Sequence, residues 1–217
     1  MMMTMDTQQL IESLSKDVPR VRPDELARRI GFGIVGGGLV TTALVTAVLG
    51  VRPDLQVAMH GFSFWMKWTY TISLGVGTVY AVTRLARPTP SSLHRLWLIA
   101  IPILLLAGIG IGELSTTPPA QWLALWLGRS WMICPWLVLT LAVPIFVGLL
   151  WSFRELAPTR LRAAGAAAGL ASGAWAATIY CLHCPETSAI FVLTWYSLGI
   201  MLAAGTGAVL GPRLMRW

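Results

Sequence analysis

Charge is scarce in this chain. Only 12% of its 217 residues are Asp, Glu, Lys or Arg, about half the ~25% of a soluble domain. With 56% hydrophobic residues, too little polar surface remains to keep the folded chain in water, which excludes an ordinary soluble domain. Period-two alternation is missing from the apolar stretches, which excludes a membrane barrel. No charged pair lies mid-membrane in those stretches, which weighs against an ion or proton pathway. The sequence lacks paired broken helices in an inverted repeat, which weighs against a transporter. It has no P-loop, no H-E-x-x-H and no Ser-His-Asp order. One G-x-G-x-x-G does occur, at Gly31, Gly33 and Gly36. It opens an apolar run instead of following a strand, so it reads as helix packing and not as a pyrophosphate cradle.

What is present suits a bilayer. A spanning helix needs about 20 mainly apolar residues, and six stretches qualify, at 30–50, 66–86, 96–114, 131–153, 163–182 and 188–210. The expectation is an all-α, polytopic membrane protein with six transmembrane helices in one bundle. It divides into a cytoplasmic segment 1–29, a bundle 30–210 and a tail 211–217. The polar residues ahead of the first span, and the lack of a cleavage motif after it, argue against a signal peptide.

The net charge of +7 raises the question of nucleic acid, and its placement answers it. Lys16, Arg20, Arg22, Arg28, Arg29, Arg84, Arg87, Arg95, Arg154, Arg160, Arg162, Arg213 and Arg216 fall on one side of the six spans. Only Arg52, Lys67 and Arg129 fall on the other. The positive-inside rule puts the larger group, and both chain ends, in the cytoplasm. The basic residues then orient the protein and meet lipid headgroups.

Within the spans, Gly165, Gly169 and Gly173 share one face of the fifth, and alanines fill most of the rest. Small residues let backbones approach closely, which places this helix at the centre of the bundle. Gly33 and Gly37, Gly108 and Gly112, and Gly207 and Gly211 repeat the spacing. The second span carries Thr69, Tyr70, Thr71, Ser73, Thr78, Tyr80 and Thr83 and reads as largely interior. Pro144 is expected to kink the fourth. The tryptophans near span ends form the usual interfacial belt.

The segment 1–29 is too short for a domain but carries a pattern. Asp6 and Gln9 have capping-box spacing, Leu10, Ile11, Leu14 and Val18 share a helical face, and Pro19 ends the run. About twelve residues make a marginal helix alone, so this one needs a surface. Membrane docking is the plain reading. With only Lys16 as a basic residue, a groove on a soluble partner is the better one.

All three cysteines fall on the side away from the cytoplasm. Cys134 opens the fourth span, and Cys181 and Cys184 belong to Cys181-Leu182-His183-Cys184-Pro185-Glu186 between the fifth and sixth. In an oxidising compartment two such thiols can form a disulfide and a third can exchange it. His183, when protonated, favours a neighbouring thiolate. Cys134, Cys181, His183 and Cys184 are also ligand types for Cu(I) or Zn(II), with His60 and Glu113 on the same side. The plain alternative is that the cysteines are small buried hydrophobes, His183 an interfacial side chain and Glu186 a cap for the sixth span.

Several motifs now align with a family. Thr7-Gln8-Gln9-Leu10-Ile11-Glu12-Ser13-Leu14-Ser15-Lys16-Asp17 resembles the opening of NrsF-type anti-sigma factors. So do Gly50-Val51-Arg52-Pro53-Asp54-Leu55, Phe64-Trp65-Met66-Lys67 and Arg84-Leu85-Ala86-Arg87-Pro88. Leu182-His183-Cys184-Pro185-Glu186, with Trp195-Tyr196 after it, is the fullest match. The resemblance extends over nearly the whole chain. It implies a multi-pass protein of the bacterial inner membrane that holds an extracytoplasmic-function (ECF) sigma factor inactive. It implies regulation in response to oxidant or heavy-metal stress, not catalysis. The family's two sensing cysteines match Cys134 and Cys184. Cys181 is an addition that leaves the disulfide pairing open. The sigma factor is expected to meet the N-terminal helix at Leu10, Ile11, Leu14 and Asp17. No cofactor is expected beyond a metal ion at the cysteines. The competing class is a membrane thiol-disulfide oxidoreductase coupled to quinone, for which C-x-x-C at a helix end is compatible but the usual second dithiol is missing.

Overall fold

The structure is a computed structural model that describes residues 23–85, 97, 99–153 and 160–215. The N-terminal positions Leu10, Ile11, Leu14 and Asp17 lie outside the described residues. The described chain is helical throughout its regular structure. α1 is Pro23–Leu44, running on through a π-helical turn, Val45–Leu49. Pro23 opens it at a position where a missing N–H is harmless. A short α2, Leu55–Met59, precedes α3, Phe62–Leu85. α4 is Ala100–Thr116, and α5 is Trp122–Leu127 after the 3₁₀ turn Pro119–Gln121. α6 is Cys134–Phe153, α7 is Leu161–Tyr180, and α8 is Ala189–Leu214 with a π-helical turn at Val192–Tyr196.

Each expected span contains one long helix, but among the described residues only three are long and apolar enough to cross a membrane by themselves. These are Ala27–Leu49, Cys134–Ser152 and Ala189–Leu214, where the sequence reading expected six. Composition explains the shortfall. α3 carries Lys67 and a run of hydroxyl side chains, α7 is built from alanine and glycine, and α4 has 17 residues. α8 also continues past 210, so part of the expected tail is helix.

α7 is the central helix, as its small residues predict. Thirteen of its 20 residues are buried, and it packs against α8, α3 and α6. A Cβ at Gly165 would strike the Gly207 carbonyl, and one at Gly169 the Ala203 carbonyl. α1 rests mainly on α6, where Gly33 meets Gly148 and Gly37 meets the backbone at Ile145. The Thr41 hydroxyl crosses that contact to donate to the Leu141 carbonyl (3.0 Å). α6 continues through Pro144 as one helix. Gly108 and Gly112 depart from expectation, because nothing lies within 4 Å of a Cβ built on either. α4 instead turns Leu106 and Gly110 inward, Gly110 against Ile190. α3 is interior on one face only: Tyr70, Thr71 and Thr78 are buried, whereas Thr69 and Ser73 are exposed.

The long helices alternate in direction. Gly50, Lys67, Glu113, Cys134 and Cys181 gather at one end, called here the cysteine end. Arg28, Arg29, Arg160, Arg162 and Arg213 lie toward the other.

The α7–α8 contact leaves no space for a side chain on either backbone. Gly169→Leu is therefore expected to cost at least about 2 kcal/mol through overpacking. Gly108→Leu is expected to be neutral. Thermal unfolding of the purified protein in detergent separates the two, and equal midpoints would show that α7 is not packed as described.

Candidate functional site

Segment 181–188 joins α7 to α8 at the cysteine end. It starts as a tight continuation of α7: the Cys181 N–H donates to the Ala177 carbonyl (3.1 Å) and the Cys184 N–H to the Tyr180 carbonyl (3.0 Å). Cys134 arrives from the opposite direction as the first residue of α6, its N–H held by the Ser130 carbonyl (2.8 Å). All three cysteines are free thiols, each with 0% of its surface exposed. The Tyr180 side chain lies against both Cys134 and Cys184. Cys181 lies beside the hydroxyls of Thr71 and Tyr196 and near the Lys67 ammonium. The π-helical turn in α8 ends at Tyr196, whose ring sits 5.7 Å from that of Tyr180. Cys134 and the Cys181–Cys184 segment are therefore brought together, and two tyrosines fill the space among the thiols.

The segment has little regular backbone pairing, so its carbonyls need outside donors. Lys67 supplies two of them. Its side chain is 0% exposed, and Nζ donates to the carbonyls of Cys184 (3.1 Å) and Glu186 (2.6 Å). Arg52 supplies a third to the same Cys184 carbonyl, from Nη1 at 3.4 Å, and its own N–H donates to the Leu182 carbonyl (3.1 Å). Arg52 also forms a two-pronged pair with Asp54 at 2.8 and 2.6 Å. That guanidinium holds the Asp54 carboxyl below the usual carboxylate range. The pair's stabilisation is present above that range and is lost as pH falls through the lowered value. Asp54 is 56% exposed, so the contribution is small.

The remaining candidate ligands already have partners. His183 Nδ1 lies 2.8 Å from the Gly50 carbonyl. A carbonyl only accepts, so Nδ1 carries the proton. Glu186 Oε1 accepts from the N–H groups of Arg129 (2.7 Å) and Ser130 (3.2 Å) and from the Ser130 hydroxyl (3.1 Å). It therefore caps the turn leading into α6, and is not the cap of the last span. Glu113 takes part of that role: its Oε2 accepts from the Ser188 hydroxyl (2.9 Å) and the Ala189 N–H (2.8 Å) at the start of α8. Gly128, at φ +55°, faces the Glu186 carboxylate where a Cβ would collide with it. His60 is exposed on the turn after α2. Among the described residues no group of three or more His, Cys, Asp or Glu is gathered to hold a metal ion.

Sequence reasoning missed Lys67 as part of this site. It counted the residue as one of the few bases on the far side and as part of a family-like motif, without a role at the cysteines. The available signal was its position: a lysine one turn into an apolar helix has to find acceptors. Lys67→Ala is expected to leave the Glu186 carbonyl without its donor, at about 1–3 kcal/mol, and the Cys184 carbonyl with Arg52 alone, and so to loosen segment 184–188. Maleimide labelling of Cys184 in membranes should then be faster than in the parent, while Lys67→Arg should stay slow. Unchanged labelling in Lys67→Ala would show that Lys67 does not hold the segment.

Comparison with known proteins gives the family. Residues 14–217 match the family described as negative regulator of sigma F. A probable anti-sigma-F factor NrsF of Azospira oryzae is 38% identical over 213 residues, covering 98% of this chain and 100% of that protein. The anti-sigma-F factor NrsF of Caulobacter vibrioides is 40% identical over 215 residues, covering 98% of this chain and all of the relative. No solved structure matches. With matches of this length, the chain belongs to the NrsF family of negative regulators of sigma F.

Proposed function

We propose that the chain is a six-span protein of the bacterial inner membrane that sequesters an ECF sigma factor in the cytoplasm. It releases the factor when thiols at the outer end of the bundle are oxidised. The family match supports the sigma-factor partner. The alternating directions of the long helices support six crossings. α3 and α7 fall short in hydropathy because protein, not lipid, covers much of them, and α7 packs between helices that are themselves long and apolar enough to span. Arg28, Arg29, Arg160, Arg162 and Arg213 lie away from the cysteine end, which favours the cytoplasm for that side.

The observation that carries the sensing role is the meeting of Cys134, at the start of α6, with Cys184, in the segment after α7, across Tyr180. Oxidation by a peroxide would join two thiols as a disulfide. Their two electrons and two protons go to the peroxide, which leaves as water or alcohol plus water. Because the thiols are fully buried, segment 182–188 has to open before they react. Thiol chemistry is favoured over metal binding because His183 Nδ1, Glu113 and Glu186 already serve the backbone. The sigma factor would meet the apolar face of the N-terminal helix at Leu10, Ile11 and Leu14, with Asp17 beside it.

Two experiments test this. Removing residues 1–20 should abolish co-purification of the sigma factor while the bundle still accumulates in the membrane. Retained binding would move the contact elsewhere. Cys134→Ser and Cys184→Ser should each keep the sigma factor bound and abolish its release by peroxide, read from a sigma-dependent reporter. A normal response in both variants rules the thiol sensor out.

A further inference from the structure

The two cysteines assigned to sensing sit on the two supports of a single helix. α1 rests along α6, whose first residue is Cys134. The cysteine end of α1 is bonded to the segment that carries Cys184. Three hydrogen bonds make that second attachment: His183 Nδ1–H to the Gly50 carbonyl (2.8 Å), the Arg52 N–H to the Leu182 carbonyl (3.1 Å), and Arg52 Nη1 to the Cys184 carbonyl (3.4 Å). We propose that Arg52 and His183 are positioning residues that make α1 the output element of the sensor. This inference rests on the thiol-sensor reading above.

The build of α1 suits the role. Its contact with α6 is backbone on backbone at Gly33–Gly148 and Gly37–Ile145, so no large side chains interlock there. With the Thr41 hydroxyl donating to the Leu141 carbonyl and the Ser152 hydroxyl to the Arg29 carbonyl across the same contact, α1 follows the position of α6. Its cysteine end finishes in the π-helical turn Val45–Leu49 and in Gly50 at φ +78°. π-helical turns often mark functional positions. The left-handed backbone at Gly50 aims its carbonyl at His183, and a side chain there would be strained. At its other end α1 is preceded in the chain by residues 1–22, which contain the positions proposed above to bind the sigma factor. A disulfide between Cys134 and Cys184, formed by a peroxide that takes up both electrons and both protons, fixes the start of α6 to the 182–184 segment. The two supports then shift relative to each other. α1, attached to both, moves with them and carries the N-terminal segment along.

The test uses the full-length protein in membranes with its sigma factor. The variants are Arg52→Gln, His183→Ala, the double variant and His183→Gln. Three things are read in each: repression without oxidant, the oxidation state of Cys134 and Cys184 after peroxide by alkylation mass shift, and reporter induction. The double variant should repress like the parent and oxidise at least as readily, yet lose induction by about fivefold or more. His183→Gln should recover, because its side-chain amide can donate to the Gly50 carbonyl. Normal induction in the double variant overturns the inference. So does loss of repression or of thiol oxidation, because these bonds would then be supports of the fold. A Cys134→Ser control separates the two levels. Should that control induce normally, the thiol sensor itself fails. A silent control beside an inducible double variant defeats only the role of α1.

Discussion

Gly165, Gly169 and Gly207 let the backbones of α7 and α8 touch, and that contact constrains what can be built around it. In hydrocarbon, no hydrophobic drive holds one helix to another, so close packing and hydrogen bonds must do so. α7 gains its place by giving up side-chain volume, which is why it is buried on nearly every face. Its partners then take positions around a thin rod: α8 on the glycine face, α3 and α6 on the others. A tight α7–α8 hairpin also fixes where segment 181–188 turns. The three cysteines are near one another because Cys181 and Cys184 belong to that turn and α6 starts beside it.

A turn at the end of a close-packed hairpin has carbonyls facing protein, and these must find donors or cost stability. Here the donors are charged. Lys67 and Arg52 share the Cys184 carbonyl, and Lys67 reaches Glu186 as well. Two carboxylates do the converse work: Glu186 satisfies the N–H groups ahead of α6, and Glu113 those at the start of α8. Charge-assisted bonds are stronger than neutral ones, which explains how so few charged residues can organise this end of the bundle. The same bonds seal the thiols from solvent. Reactivity is thus set by the opening of the segment, as well as by the chemistry of sulfur.

Much of this was legible in the sequence, because the signals were periodic or compositional. The spacing of Gly165, Gly169 and Gly173 marked the central helix, and the placement of Cys134 against Cys181 and Cys184 marked the thiol cluster. Six helical stretches were expected and each contains a long helix, although among the described residues only three are apolar and long enough to span by that measure alone. Hydropathy along a chain does not record whether lipid or protein will cover a residue, so α3 and α7 look weaker than α6. Gly108 and Gly112 show the converse error: the spacing that marks contact in α7 faces outward in α4. Partner choice was the least legible feature. Glu186 looked like a local cap for the helix after it, but it caps a turn that lies far away in sequence. Lys67 gave no local hint of its acceptors. Such contacts depend on how helices are placed relative to each other, which no single segment encodes.

The magnitudes involved favour a small mechanism. Changing sigma-factor occupancy tenfold requires a shift of only about 1.4 kcal/mol between two states of the bundle. A single hydrogen bond contributes about 1 kcal/mol, so the three that tie residues 50–52 to residues 182–184 span the range needed. A large rearrangement of α7 and α8 would cost far more, because every glycine contact between them would have to be remade. The energetically accessible response is therefore at the edge of the bundle, where α1 rests on one helix and a few hydrogen bonds. The central hairpin can stay fixed as the frame against which that movement is made.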